Sequence, residues 1–143
     1  MTESSAAKKS QREEKMPPSV LILCAENENR NKIVTTVRKC GLDPLLRSNY
    51  REARDLLRLH NFAAVFCGDT LEDATYPQII EAAKPVPVIV LSRFAEWDSC
   101  LAALAAGAFD YIPCPPDHRE VERILSSAIS EQLQIKNLSA AAT

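Results

Sequence analysis

The 143-residue chain predicts an α/β fold, a doubly wound sheet of five parallel strands interleaved with five helices. Two observations carry this. Apolar runs of strand length alternate with segments of helical period along the whole chain. The runs SVLILC (19–24) and FAAVFC (62–67) are also apolar without alternation, as expected of strands covered on both faces. Parallel neighbours need crossover helices, and those helices cover both sides of the sheet.

Taken in order, SVLILC is the first strand. Ile33, Val34 and Val37 then recur at helical spacing, and Gly41 stops that helix because glycine accepts the left-handed conformation of a C-terminal cap. DPLLRS (43–48) is a weaker strand placed at a sheet edge, since Pro44 cannot donate a ladder hydrogen bond. A second helix carries Ala53, Leu56, Leu57 and His60 on one stripe, and FAAVFC is the third strand. ATYPQIIEAAK (74–84) is a short third helix, and VPVIVL (86–91) is the most β-branched run of the chain. The alanine-rich AEWDSCLAALAAG (95–107) is a fourth helix ended by Gly107, and FDYIP (109–113) is the fifth strand. Asp117 and Glu120 are spaced as a capping box. Val121, Ile124, Leu125, Ala128, Ile129 and Leu133 hold a 3.6-residue period on the last helix.

A chain of this length makes one domain that buries roughly two thirds of its unfolded surface. We expect a disordered leader over 1–18, the domain over 19–135, and a frayed tail over 136–143. Ile135 and Leu138 in that tail have no obvious core to meet, and would otherwise extend a helix that pairs with a second copy. The net charge of −2 gives no electrostatic reason to expect nucleic acid. The longest apolar run, CLAALAAGAF (100–109), is half of the roughly 20 residues a membrane span requires. The polar N-terminus lacks the apolar stretch of a secretory signal, so a cytoplasmic location is expected. Cys24, Cys40, Cys67, Cys100 and Cys114 are odd in number without a C-x-x-C pair, which favours reduced thiols serving as small apolar side chains.

Ligands of doubly wound sheets bind at the carboxyl ends of the strands, which directs attention to residues 24–30, 67–72, 91–94 and 113–116. There LILCAENENR, VIVLSR and GAFDYIPCP together resemble the receiver domain of bacterial two-component response regulators, over about residues 18–135. The resemblance implies a flavodoxin-like (βα)5 fold with strand order 2-1-3-4-5. It also implies the family's chemistry, transfer of a phosphoryl group to an aspartate beside Mg²⁺, an acidic pair, a hydroxyl and a lysine. Such transfer needs the charge on the equatorial oxygens neutralised by fixed cations and donors.

Carried onto this chain, the acidic pair falls on Cys24 and Ala25, the acceptor on Gly68, the hydroxyl on Ser92 and the lysine on Cys114. Mg²⁺ takes oxygen ligands, so no cofactor or metal is expected in this degenerate phosphorylation pocket. Asp69 is a possible substitute acceptor. Side chains alternate across a strand, so Asp69 is expected to face away from the pocket unless Gly68 bulges with positive φ. Otherwise Asp69 is a solvated or capping loop carboxylate. Glu26 is a possible residual acid, or an exposed acid at a helix start.

Cys24 and Cys114 lie on strands that the implied order separates by about 14 Å, beyond the roughly 7 Å a disulfide allows. Cys67 is expected to point into the core. Tyr111 matches the family's switch aromatic, with packing beside a solvated hydroxyl as the simpler role. No base or nucleophile is spaced to join His60 or His118 in catalysis. Trp97, Leu101 and Leu104 share one side of the fourth helix. With Tyr111, Trp97 and Leu101 form a candidate interaction surface.

The sequence thus predicts a stand-alone receiver-like module, not an enzyme, that binds a histidine kinase, another response regulator or itself. A homodimer would use helix 4, strand 5 and helix 5. The alternatives are phosphorylation on Asp69 and a cysteine-based redox or ligand sensor.

Overall fold

The computed structural model describes residues 18–69, 71–92 and 96–142, with side chains as far as Glu131. Of the leader proposed for 1–18, residues 1–17 lie outside the described residues, as do the side chains of Leu133, Ile135 and Leu138. Five parallel strands, β1 (Ser19–Leu23), β2 (Asp43–Arg47), β3 (Phe62–Gly68), β4 (Val88–Ser92) and β5 (Asp110–Pro113), form one sheet in the order β2-β1-β3-β4-β5. The helices are α1 (Asn27–Lys39), α2 (Tyr50–Leu59), α3 (Tyr76–Ala83), α4 (Trp97–Ala105) and α5 (His118–Ala142).

The two-residue period of the strands divides the interior in two. Val20, Ile22, Phe66, Ile89 and Ile112 point to one side, where Ile33 and Val37 of α1 and Val121, Ile124 and Leu125 of α5 cover them. Leu21, Leu23, Val65, Cys67 and Val90 point to the other, against Ala53 of α2, Ile79 of α3 and Ala103 of α4. Each aliphatic or aromatic side chain buried this completely contributes about 1.5–3 kcal/mol. β1 and β3 are buried almost throughout, whereas β2 is partly exposed along its length, as its edge position and Pro44 require. Val86 and Pro87 precede β4 instead of opening it.

The helix ends follow local chemistry. Gly41 takes φ 79° and Leu42 N–H returns to Val37 C=O at 3.1 Å, closing α1. The Asn49 side chain accepts from Glu52 N–H at 2.9 Å and caps α2. Asp117 caps α5 by accepting from Arg119 N–H at 2.9 Å. Glu120 lies 3.7 Å from Arg123, an i,i+3 pair on one helix face, where the spacing predicted a box with Asp117.

One expectation needs correction. His60 is not on the apolar stripe of α2: it follows the last helical residue, extended and exposed. Of the two readings of the segment after residue 135, the backbone follows the helical one: α5 continues to Ala142. Among the described residues no helix is long and apolar enough to cross a membrane.

Candidate functional site

The carboxyl ends of β1, β3 and β4 and the start of β5–α5 enclose a cavity of about 150 Å³. Cys24, Ala25, Gly68 and Cys114, which the sequence placed together, all line it. So do Glu26 and Asp69, and two residues the sequence reading missed, Asn29 and Leu91. Asn29 sits in the first turn of α1, is only 5% exposed, and donates from Nδ2 to Glu26 Oε2 at 3.0 Å. The signal for it was the three-residue spacing from Glu26, which puts both on one helix face.

Asp69 does not turn away, and that expectation is corrected. Gly68 lacks the positive φ reserved here for Gly41 and Gly107, so no glycine bulge is responsible. Asp69 N–H donates to Leu91 C=O at 2.9 Å, extending the pairing of Gly68 with Leu91 by one rung. Asp69 and Ser92 thereby share a side of the sheet, and Ser92 Oγ donates to Asp69 Oδ2 at 3.2 Å. Alternation holds along the strand; at its last rung the side chain has the open rim beside it and reaches the cavity. Ser92 itself is 3% exposed.

The Cys24 and Cys67 thiols are poor nucleophiles. Burial pushes Cys24 above the ordinary thiol value, and the Glu26 and Asp69 carboxylates add to the shift against the opposing Glu26 carbonyl hydrogen bond and Arg30 charge. Its Sγ donates to Glu26 C=O at 3.6 Å. Burial raises Cys67 further, and its Sγ donates to Gly68 C=O at 3.2 Å from the core side. No disulfide joins the cysteines.

The chain is 30% identical over 128 residues to the regulatory protein AtoC of Escherichia coli, covering 83% of this chain and 27% of AtoC. It is 28% identical over 113 residues to the response regulator PilR of Pseudomonas aeruginosa, covering 76% of this chain and 25% of PilR. The chain thus spans about a quarter of the length of these curated relatives. No protein-family model matches it. Among solved structures, the receiver domain of the Francisella response regulator 1452 superposes with a TM-score of 0.72 at 19% identity, over 80% of this chain and 98% of that one. A receiver domain of a Pseudomonas aeruginosa sensor histidine kinase, solved with magnesium in its active-site cleft, gives 0.71 at 21% identity, over 80% and 98%.

The fold is that of a response-regulator receiver domain.

The resemblance would set this cavity at the family's phosphorylation site, and of its walls only Glu26, Asn29 and Asp69 offer side-chain oxygens to a hard cation. Among the described residues no three His, Cys, Asp or Glu side chains gather as a metal-holding group. Cys24 offers a protonated thiol, Ala25 a methyl and Gly68 a hydrogen, where Mg²⁺ requires oxygen. The Glu26 and Asp69 carboxylates are engaged by Asn29 and Ser92.

Tyr111 is corrected as a member of the interaction surface. It is 8% exposed and packs in the core shared with Ala103 and Ala108, because its neighbour in register is the buried Val90. Trp97 and Leu101 do lie outside, 73% and 46% exposed, with Leu104 beside them. His118 has a structural contact the sequence did not announce: its Nδ1 lies 2.6 Å from the Thr36 hydroxyl and joins α5 to α1.

Proposed function

We propose that this receiver-type domain acts in two-component signalling by protein contact, with a pocket that does not run the ordinary phosphoryl relay. The observation that carries this reading is Gly68, which brings no carboxylate to the acceptor position on the cavity wall. Cys114 brings no cation to the lysine position on the same wall. A phosphoryl group arriving there would meet neither a nucleophile at that position nor a fixed positive charge for its equatorial oxygens. The domain therefore changes state only through a partner or ligand that binds one conformation better than another. The partner is a protein, either a histidine kinase, another response regulator or a second copy, and the exposed Trp97 and Leu101 face of α4 is where it docks. The domain has no catalytic residues and no cofactor of its own.

A second reading rests on the Ser92–Asp69 hydrogen bond. It holds a carboxylate in the cavity beside a hydroxyl, as an acceptor one residue displaced would require. Incubation with acetyl phosphate and Mg²⁺ followed by intact-mass measurement separates the two. No added phosphate supports the contact-only module. A phosphate that disappears in Asp69→Asn establishes the displaced acceptor instead.

A further inference from the structure

A second cavity, of about 430 Å³, opens at the opposite end of the sheet, where chain segments enter β4 and β5 beside α5. Its size is within the ~300–1,000 Å³ of small-molecule sites. Small residues line part of it. Gly107, at φ 108°, forms one wall so close to α3 that a Cβ would stand 3.2 Å from Ile80 Cγ2. Ala128 of α5 faces the same space with only a methyl group. Val86 and Phe109, both half-buried, supply much of the apolar lining.

The polar chemistry of the walls is one-sided. The N–H groups of Val86, Gly107 and Phe109 are already donated to Ala83, Leu104 and Val88 carbonyls at 2.7, 3.0 and 2.7 Å. Pro85 and Pro87 line the cavity without N–H groups at all. The one cationic side chain, Lys84, is held by Glu81 at 3.0 Å. Glu131, across the opening on α5, has no ion pair among the described residues. The carbonyl end of α3 lies beside the cavity and adds negative potential. An anionic ligand would find the backbone donors spent and Lys84 already shared with Glu81; a cation would find an acceptor in Glu131.

We propose that this cavity binds a small molecule with an apolar body and a single cationic amine, the amine paired with Glu131. The test is amide chemical-shift titration of the ¹⁵N-labelled full chain with three probes of equal body: phenethylamine, 2-phenylethanol and 3-phenylpropionate. We expect saturable shifts around Val86, Gly107 and Phe109, with the amine tightest and the acid weakest. Glu131→Gln weakens the amine about threefold to fivefold, as losing a partly solvated ion pair does, and leaves the alcohol unchanged. Ala128→Leu fills the space and abolishes binding of all three. If that variant does not fold, the Glu131→Gln comparison decides alone. The proposal is overturned if the acid binds as tightly as the amine, if Glu131→Gln leaves the amine unaffected, if no probe saturates at millimolar concentration, or if the shifts map to the Cys24 and Asp69 cavity.

Discussion

Ser92, at the end of β4, donates its hydroxyl to the Asp69 carboxylate at 3.2 Å, tying the loop after β3 to the neighbouring strand. Ser92→Ala removes that bond and is expected to lower stability by about 0.5–1.5 kcal/mol, the usual net worth of an intramolecular hydrogen bond. Urea unfolding of the two proteins measures it, and equal midpoints would show the bond to be unimportant in solution.

The pocket reading predicts how function is regained. Gly68→Asp alone restores only the acceptor, so phosphate uptake from acetyl phosphate stays absent. Adding Cys24→Asp, Ala25→Asp and Cys114→Lys supplies the acidic pair and the lysine, and Mg²⁺-dependent uptake then appears. Uptake by the single variant would show that the remaining wall already supports transfer.

Asp73 contributes to an acid-range response. Its carboxylate accepts from Tyr50 N–H at 2.7 Å and Arg51 N–H at 3.3 Å at the start of α2. The Tyr50 bond, foremost, holds its pKa below the usual aspartate value. The folded pKa is therefore the lower one. The stabilisation is complete above the unfolded-state pKa and is lost as pH falls through the folded one. Asp73→Asn is expected to flatten the fall in melting temperature on acidification. A curve as steep as the parent's would remove Asp73 from the explanation.

Thiol reactivity should divide by burial. Cys40 is exposed, whereas Cys67 is fully buried with a raised pKa. Because the thiolate is the reacting form, an aromatic disulfide reagent is expected to label Cys40 quickly and Cys67 only after unfolding. Peptide mapping of the labelled sites reports which occurs, and fast native labelling of Cys67 would mean that β3 opens readily.

Docking through α4 predicts that Trp97→Ala leaves stability within about 0.5 kcal/mol, as an exposed position does, while weakening capture by a cognate kinase or self-association. Sedimentation and pull-down measure the second quantity. Unchanged association would place the contact elsewhere.

The strands were legible because burial on both faces leaves continuous apolar runs such as Val20 to Leu23 and Ala63 to Cys67. Gly41 and Gly107 marked helix ends for a reason the backbone repeats, their positive φ. The grouping of Cys24, Ala25, Gly68 and Cys114 came from resemblance, since residues so distant in sequence meet only through the strand order. Asp69 was misread because alternation within a strand says nothing about a side chain at its rim, where the next rung is missing. Tyr111 was put on the interaction surface by resemblance, while its simpler reading, packing, matches its place beside Ala103 of α4. The continuation of α5 past residue 135 was one of two readings of Ile135 and Leu138, which an apolar stripe that grows sparse there left open.

With 25 residues, α5 is about 37 Å long at 1.5 Å per residue, and it is pinned near its root where His118 meets Thr36. Val121, Ile124, Leu125 and Ala128 hold its first turns on the sheet, so only the stretch beyond Ile129 as far as Ala142, about 20 Å at 1.5 Å per residue, continues past that packed part. A shift of the packed turns on the sheet is thus carried along the rod to Ala142.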